Sequence, residues 1–172
     1  MNSAAAQETG ESHARLSPLD VEPIDEGDER WYSNDYYLVA PYTTDLQFIR
    51  QWHHDDSNGS PPIALCTTGG KLNWDYITTQ GGNDQFYDLG AYPTNKWFHV
   101  TIHLKLSSGS DGLSEVWVDG VKKMSLKGPN KFKGLKNLEM IGIYHWQWKA
   151  TSYGRDQSTT IYIDNAKEWK PQ

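Results

Sequence analysis

The stretch Trp97–Leu106 admits one structural reading. Phe98, Val100, Ile102, Leu104 and Leu106 alternate with Trp97, His99, Thr101, His103 and Lys105, a strict period of two that puts an apolar set on one strand face and a polar, aromatic set on the other. A chain with such a strand must build a sheet that has one face on a core and one in water. The rest of the sequence repeats the signal. Strand-forming runs lie at His13–Leu16, Trp31–Pro41, Leu46–His54, Ile63–Thr68, Lys71–Thr79, Leu138–Gln147 and Thr159–Trp169, and Glu115–Met124 is a hairpin around Asp119-Gly120. Gly69-Gly70, Gly81-Gly82-Asn83-Asp84 and Ser107–Gly112 punctuate them. Neither helical periodicity nor an internal repeat is found. The expected fold is all-β, an antiparallel β-sandwich of the jelly-roll kind. Residues 1–12 are small and polar and are expected to be disordered, leaving one domain over residues 13–172.

Composition narrows the partner. Only 37% of the residues are hydrophobic, yet there are 8 Trp and 10 Tyr, so a thin core is paired with an aromatic working surface. A net charge of −6 without a long basic run argues against nucleic acid. The single cysteine, Cys66, excludes an internal disulfide and a multi-cysteine metal site, and its place in Ile63-Ala64-Leu65-Cys66 makes it a small core residue. No stretch is apolar and long enough to cross a membrane. Met1–Gly10 lacks the basic and apolar regions of a signal peptide.

The chemistry concentrates in Leu46–His54. Strict alternation along this strand puts Gln47, Ile49, Gln51 and His53 on one face, and Phe48, Arg50, Trp52 and His54 on the other. Gln51 and His53 thus offer an amide donor and an imidazole to one ligand. A buried strand rarely ends in Gln-Trp-His-His-Asp-Asp, since each polar tip needs its own partner, so this face is expected to line a wet, aromatic cleft. Arg15, the Gln51/His53 pair and Tyr144 are the groups expected to converge there. They suit proton abstraction beside a carboxylate: donors neutralise the carboxylate, a base takes the proton, and an acid protonates the departing oxygen.

These residues carry a family resemblance. Gln51-Trp52-His53 resembles the Gln-x-His motif of jelly-roll polysaccharide lyases, and Ile141-Gly142-Ile143-Tyr144-His145-Trp146-Gln147 resembles their Lys-x-Gly-x-Tyr-x-Gln strand. Trp97-Phe98-His99-Val100, Val116-Trp117-Val118-Asp119-Gly120 and Ile161-Tyr162-Ile163-Asp164-Asn165 look like the heparin-lyase-I and glucuronan-lyase type, related in motif to the alginate lyases. The resemblance spans roughly residues 13 to 170. It implies a concanavalin A-like jelly roll, β-elimination on a uronic-acid-containing polysaccharide, action outside the cell, and a monomer that needs no cofactor. Gln51 is then the carboxylate neutraliser, His53 its assistant or the base, and Tyr144 the base or acid. The family's Arg-x-Glu motif falls at Arg15-Leu16-Ser17, with Ser17 in place of the glutamate, and the lysine of the Tyr strand is absent. Arg30 and Arg50 stand second to Arg15 as a guanidinium source. The family carries more chain before its Arg motif, so an N-terminal edge strand is expected to be lacking here.

Substrate-binding residues are expected among Trp74, Tyr76, Trp146 and Trp148, which offer stacking surfaces and of which at least two are expected in the core, and at Gln147 and Lys71. Lys127, Lys131, Lys133 and Lys136 form a basic group that reads first as a solvated loop and second as the lip of a site for an acidic polymer. His53 and His54 point to opposite strand faces and cannot easily chelate one ion. A structural calcium ion at Asp164 is an expectation of the resemblance alone. Two other classes compete. A non-catalytic carbohydrate-binding module would use the same sandwich without Tyr144 chemistry. A glycoside hydrolase would need two carboxylates on one strand face, and no Glu-x-Asp-x-x-Glu pattern is present.

Overall fold

Alternating polarity becomes two layers of strands. A computed structural model of the 172-residue chain describes residues 12–16, 22–55, 59–145 and 159–171. Among them the chain forms β1 (Ser12–Leu16), β2 (Glu29–Leu38), β3 (Gln47–His54), β4 (Ile63–Thr68), β5 (Lys71–Tyr76), β6 (Gln85–Ala91), β7 (Trp97–Lys105), β8 (Leu113–Val118), β9 (Val121–Lys127), β10 (Asn137–His145) and β11 (Ile161–Trp169). No helix occurs among the described residues.

The strands make a six-stranded sheet in the order β1-β10-β3-β4-β5-β6 and a five-stranded sheet in the order β11-β2-β7-β8-β9. Every pairing is antiparallel. This is the expected sandwich. The strand expected at His13–Leu16 is β1, which pairs with β10 from Ser12 opposite His145 to Leu16 opposite Ile141 and forms the edge of this sheet among the described residues. The postulated disordered segment, residues 1–12, lies outside the described residues except for Ser12.

The inward face of β7 buries Phe98, Val100, Ile102 and Leu104, as its alternation demands. Facing it, β3 contributes Ile49 and Trp52, β4 Ile63 and Leu65, and β5 Leu72 and Trp74. Aromatic rings make up for the scarcity of aliphatics. Tyr32 meets Trp52 edge-on at 5.1 Å, and Trp52 meets Trp74 at 5.6 Å, so large side chains fill the gap between the sheets at low cost in side-chain number. The β8–β9 hairpin turns as read from sequence: Asp119 (φ 49°) and Gly120 (φ 76°) both take the left-handed conformation that a two-residue turn requires.

Two features depart from expectation. β6 had no strand signal, because it is a sheet edge with only Leu89 buried and needs no alternation. The basic loop is not a free lip throughout: the Lys131 ammonium is buried, 3.1 Å from Asp25 and 3.4 Å from Glu26.

Candidate active site

The site is built on the face of the six-stranded sheet that points away from the other sheet, and a bulge in β3 decides which residues reach it. Phe48 pairs with Cys66 and Arg50 pairs with Leu65, so Ile49 is an extra residue without a β4 partner. Ile49 lies in the main core. Arg50 also points inward, where its Nη1 donates to Asn34 of the opposite sheet at 2.6 Å and its Nε to Glu139 at 2.7 Å. Phe48 therefore joins Gln51 and His53 on the outer face, while Gln47 and Ile49 do not. This corrects strict alternation over Gln47–His53: one inserted residue reverses the phase.

Neighbouring strands complete the floor. On β4, Ala64 stands opposite Gln51 and Cys66 opposite Phe48. On β10, Met140 pairs with Gln51 and Tyr144 with Phe48. The Tyr144 ring stacks on Phe48 with centroids 6.1 Å apart, and packs against a small cluster of Phe48, Ala64 and Cys66 separate from the main core. The amide, the imidazole and the phenol thus share one sheet face. Arg15 is placed by register opposite Gly142, two residues from His13, which pairs with Tyr144. Arg30 and Arg50 do not serve the site. Arg30 is buried and paired with Asp28 (3.6 Å) and Glu168 (3.2 Å), and Arg50 is spent on Glu139 and Asn34.

The two polar groups of β3 are set differently. Gln51 is 2% exposed, its amide nitrogen makes a 3.8 Å contact with the Met140 sulfur, and its Oε1 has no partner. Such an amide keeps hydrogen-bonding capacity for a ligand. The half-buried His53 ring lies between two backbone carbonyls, His54 O at 2.9 Å from Nδ1 and Gly59 O at 3.1 Å from Nε2. A neutral ring carries one N–H and satisfies one of them; the doubly protonated ring satisfies both. The two carbonyls fix the plane of the ring on this sheet face.

Two expected sugar-stacking residues lie elsewhere. Trp74 is fully buried in the main core, and Tyr76 packs on its margin beside Ile63, in a crevice with Ser114, Leu126 and Pro129. Both share the inward phase of Leu72, and β5 alternates cleanly as Lys71, Asn73, Asp75 against Leu72, Trp74, Tyr76. The correction was available in the sequence. Lys71 does lie in the outward phase and is exposed, paired with Asp88 at 2.5 Å. Trp146, Gln147 and Trp148 lie outside the described residues.

The same phase exposes what motif reading passed over. Asp75 pairs with Ala64 and reaches the site floor. Burial, reinforced by the charge of Asp84, pushes its carboxyl up to about 7. The residue expected to hold calcium, Asp164, stands apart from this site. Asp164 lies on the other sheet and its carboxylate caps the Asn165 N–H at 2.7 Å. The adjacent Asp35 is occupied by His99 and Asn165. No group of three or more His, Cys, Asp or Glu side chains suited to a metal occurs among the described residues.

Comparison with known proteins places this arrangement. Among solved structures, the endo-β-1,4-glucuronan lyase of the fungus Trichoderma reesei superposes with a TM-score of 0.76 at 14% identity, over 98% of this chain and 79% of that one. A tyrosine-to-phenylalanine variant of the family 7 alginate lyase A1-II′, in complex with product, superposes with 0.67 at 13% identity, over 97% and 75%. An alginate lyase from Pseudomonas aeruginosa gives 0.56 at 15% identity, over 84% and 66%. At such identities the shared property is the fold. No curated protein matches in sequence. A family model described as polysaccharide lyase matches residues 2–167, and with nearly the whole chain covered, the protein belongs to the polysaccharide lyase family.

Proposed function

We propose that this chain cleaves a uronic-acid-containing polysaccharide, of the glucuronan, alginate or heparin-like class, by β-elimination at the outer face of the six-stranded sheet. The observation that carries the reading is the emergence of Gln51, His53 and Tyr144 on that one face. Family membership and the glucuronan and alginate lyases among the structural neighbours support it. The enzyme acts outside the cell, where such polymers lie, and as a monomer.

In this reading the Gln51 amide and the His53 ring hold the uronate carboxylate and spread the charge that builds up when the C5 proton leaves. Tyr144 takes that proton and, as the phenol, returns one to the glycosidic oxygen. The C5–H electron pair becomes the C4–C5 double bond as the C4–O bond breaks, so no water is consumed. Arg15, on the strand beside Tyr144's and in register with Gly142, is the guanidinium candidate that the family resemblance names.

The test is direct. Incubated with uronate polymers, the protein is expected to generate the ultraviolet absorbance of the conjugated product. Tyr144→Phe and Gln51→Ala should each lower kcat by at least about 100-fold with the fold intact. New reducing ends without absorbance would indicate hydrolysis instead, and binding without turnover a carbohydrate-binding module.

A further inference from the structure

The β5 strand carries to the site a carboxyl that the elimination itself does not use. Asp75 pairs with Ala64 and Ala64 with Gln51. The two polar side chains therefore rise on either side of an alanine methyl, about 10 Å apart at two strand spacings. Asp75 is fully buried, and beyond the backbone N–H of the next residue, Tyr76, no group donates to its oxygens. The Gln51 oxygen across the alanine is unpartnered.

The groups that face Asp75 do not neutralise it. Cys66 lies one pair along β4, its own thiol pushed up by burial. Asp84, in the turn before β6, adds negative charge. Lys71, in the outward phase of the same strand, is paired with Asp88. His53 lies beyond Gln51 with its ring on two carbonyls. A carboxyl stripped of water, beside another carboxylate and without a cation, is held as the acid, and the acid has an O–H to donate.

We propose that Asp75 is a substrate-binding residue that donates its O–H to a uronate carboxylate seated over Ala64, with the Gln51 amide holding the same carboxylate from the other side. This inference rests on the lyase reading of the site. Ionised Asp75 would repel the ligand, so recognition of the acidic sugar is lost as pH rises through about 7. A sugar with its carboxyl reduced to the alcohol escapes that repulsion.

Calorimetric titration of the full chain, in a Tyr144→Phe background to prevent turnover, tests this with a glucuronate oligosaccharide and its carboxyl-reduced counterpart. The loss of one charge-assisted hydrogen bond corresponds to about tenfold or more in affinity. Affinity for the glucuronate oligosaccharide should fall by that factor as pH passes about 7. Asp75→Asn keeps a donor in place and should flatten that step, whereas Asp75→Ala should weaken binding below a pH of about 7, where the wild-type carboxyl is a donor and where its affinity is scored. The carboxyl-reduced sugar should respond to neither. His53 is unchanged in both proteins, so the comparison isolates Asp75. An unchanged step in Asp75→Asn, or wild-type affinity in Asp75→Ala, overturns the inference and means that water alone serves this carboxyl. If Asp75→Ala does not fold, the isosteric Asp75→Asn comparison still decides. Turnover by the wild-type chain is scored separately, so loss of the lyase reading and loss of the Asp75 role give different results.

Discussion

Arg50 and Gln51 are neighbours in sequence with opposite tasks. Arg50 is 2% exposed inside the sandwich, its guanidinium held by Glu139 and Asn34 and lying 4.8 Å over the Tyr32 ring. It ties β3 to β10 in its own sheet and to β2 across the core. A buried ion pair gains little over well-packed apolar groups, but removing one partner strands the other. Arg50→Ala and Glu139→Ala are therefore each expected to cost about 3–5 kcal/mol in urea unfolding. Arg50→Met combined with Glu139→Leu should cost much less than the sum. Additive losses would show that the two side chains act independently. Gln51, one residue on, is expected to behave in reverse: its change to Ala leaves stability nearly unaltered and removes activity. The sequence marked Gln51 as functional through its motif, but nothing local in the sequence told Arg50 from a surface arginine, because its partners are 16 and 89 residues away.

At the scale of the element, β3 and β5 show where strand reading succeeds and where it stops. The phase of β5 was fully legible, since its simple alternation sets Trp74 and Tyr76 with Leu72. The phase of β3 was not legible, since a bulge leaves no composition signal and Ile49 looks like any strand isoleucine. β6 was invisible for a third reason, that an edge strand buries almost nothing. The bulge makes a sharp prediction. Deleting Ile49 restores strict alternation, so one half of β3 must turn over, sending either Phe48 inward or Gln51 and His53 inward. The deletion should abolish product formation and broaden or erase the thermal transition. Ile49→Val, which keeps the bulge, should cost only about 1 kcal/mol and retain turnover. A deletion variant with normal activity would mean that the inserted residue does not set the phase of the site.

Across the whole molecule, Glu115 and Asp35 on one sheet and Asp75 on the other respond to pH in opposite senses. On the outer face of the five-stranded sheet, Glu115 works against its own burial through hydrogen bonds from His103, Lys122 and Ser125, which bring its pKa down to about 2. Asp35 is lowered too, by Asn165 and His99. For these carboxylates the folded pKa lies below the unfolded one. Their stabilisation is present above the ordinary carboxylate range and is lost as pH falls toward about 2. Asp75 on the six-stranded sheet has the reverse sign. Its pKa rises from 3.8 to about 7, so the folded chain binds the extra proton, and stability falls as pH climbs from 3.8 through about 7. The full penalty, on the order of 3 kcal/mol, applies above that range. Asp75→Asn removes the ionisation without changing the shape. It should therefore raise Tm by roughly 5–10 °C in alkaline buffer and shift it little in mildly acidic buffer, read by circular dichroism on the full chain. An equal shift at both ends of the pH range would place the cause in packing, and no shift at either end would mean that Asp75 is solvated in the folded protein.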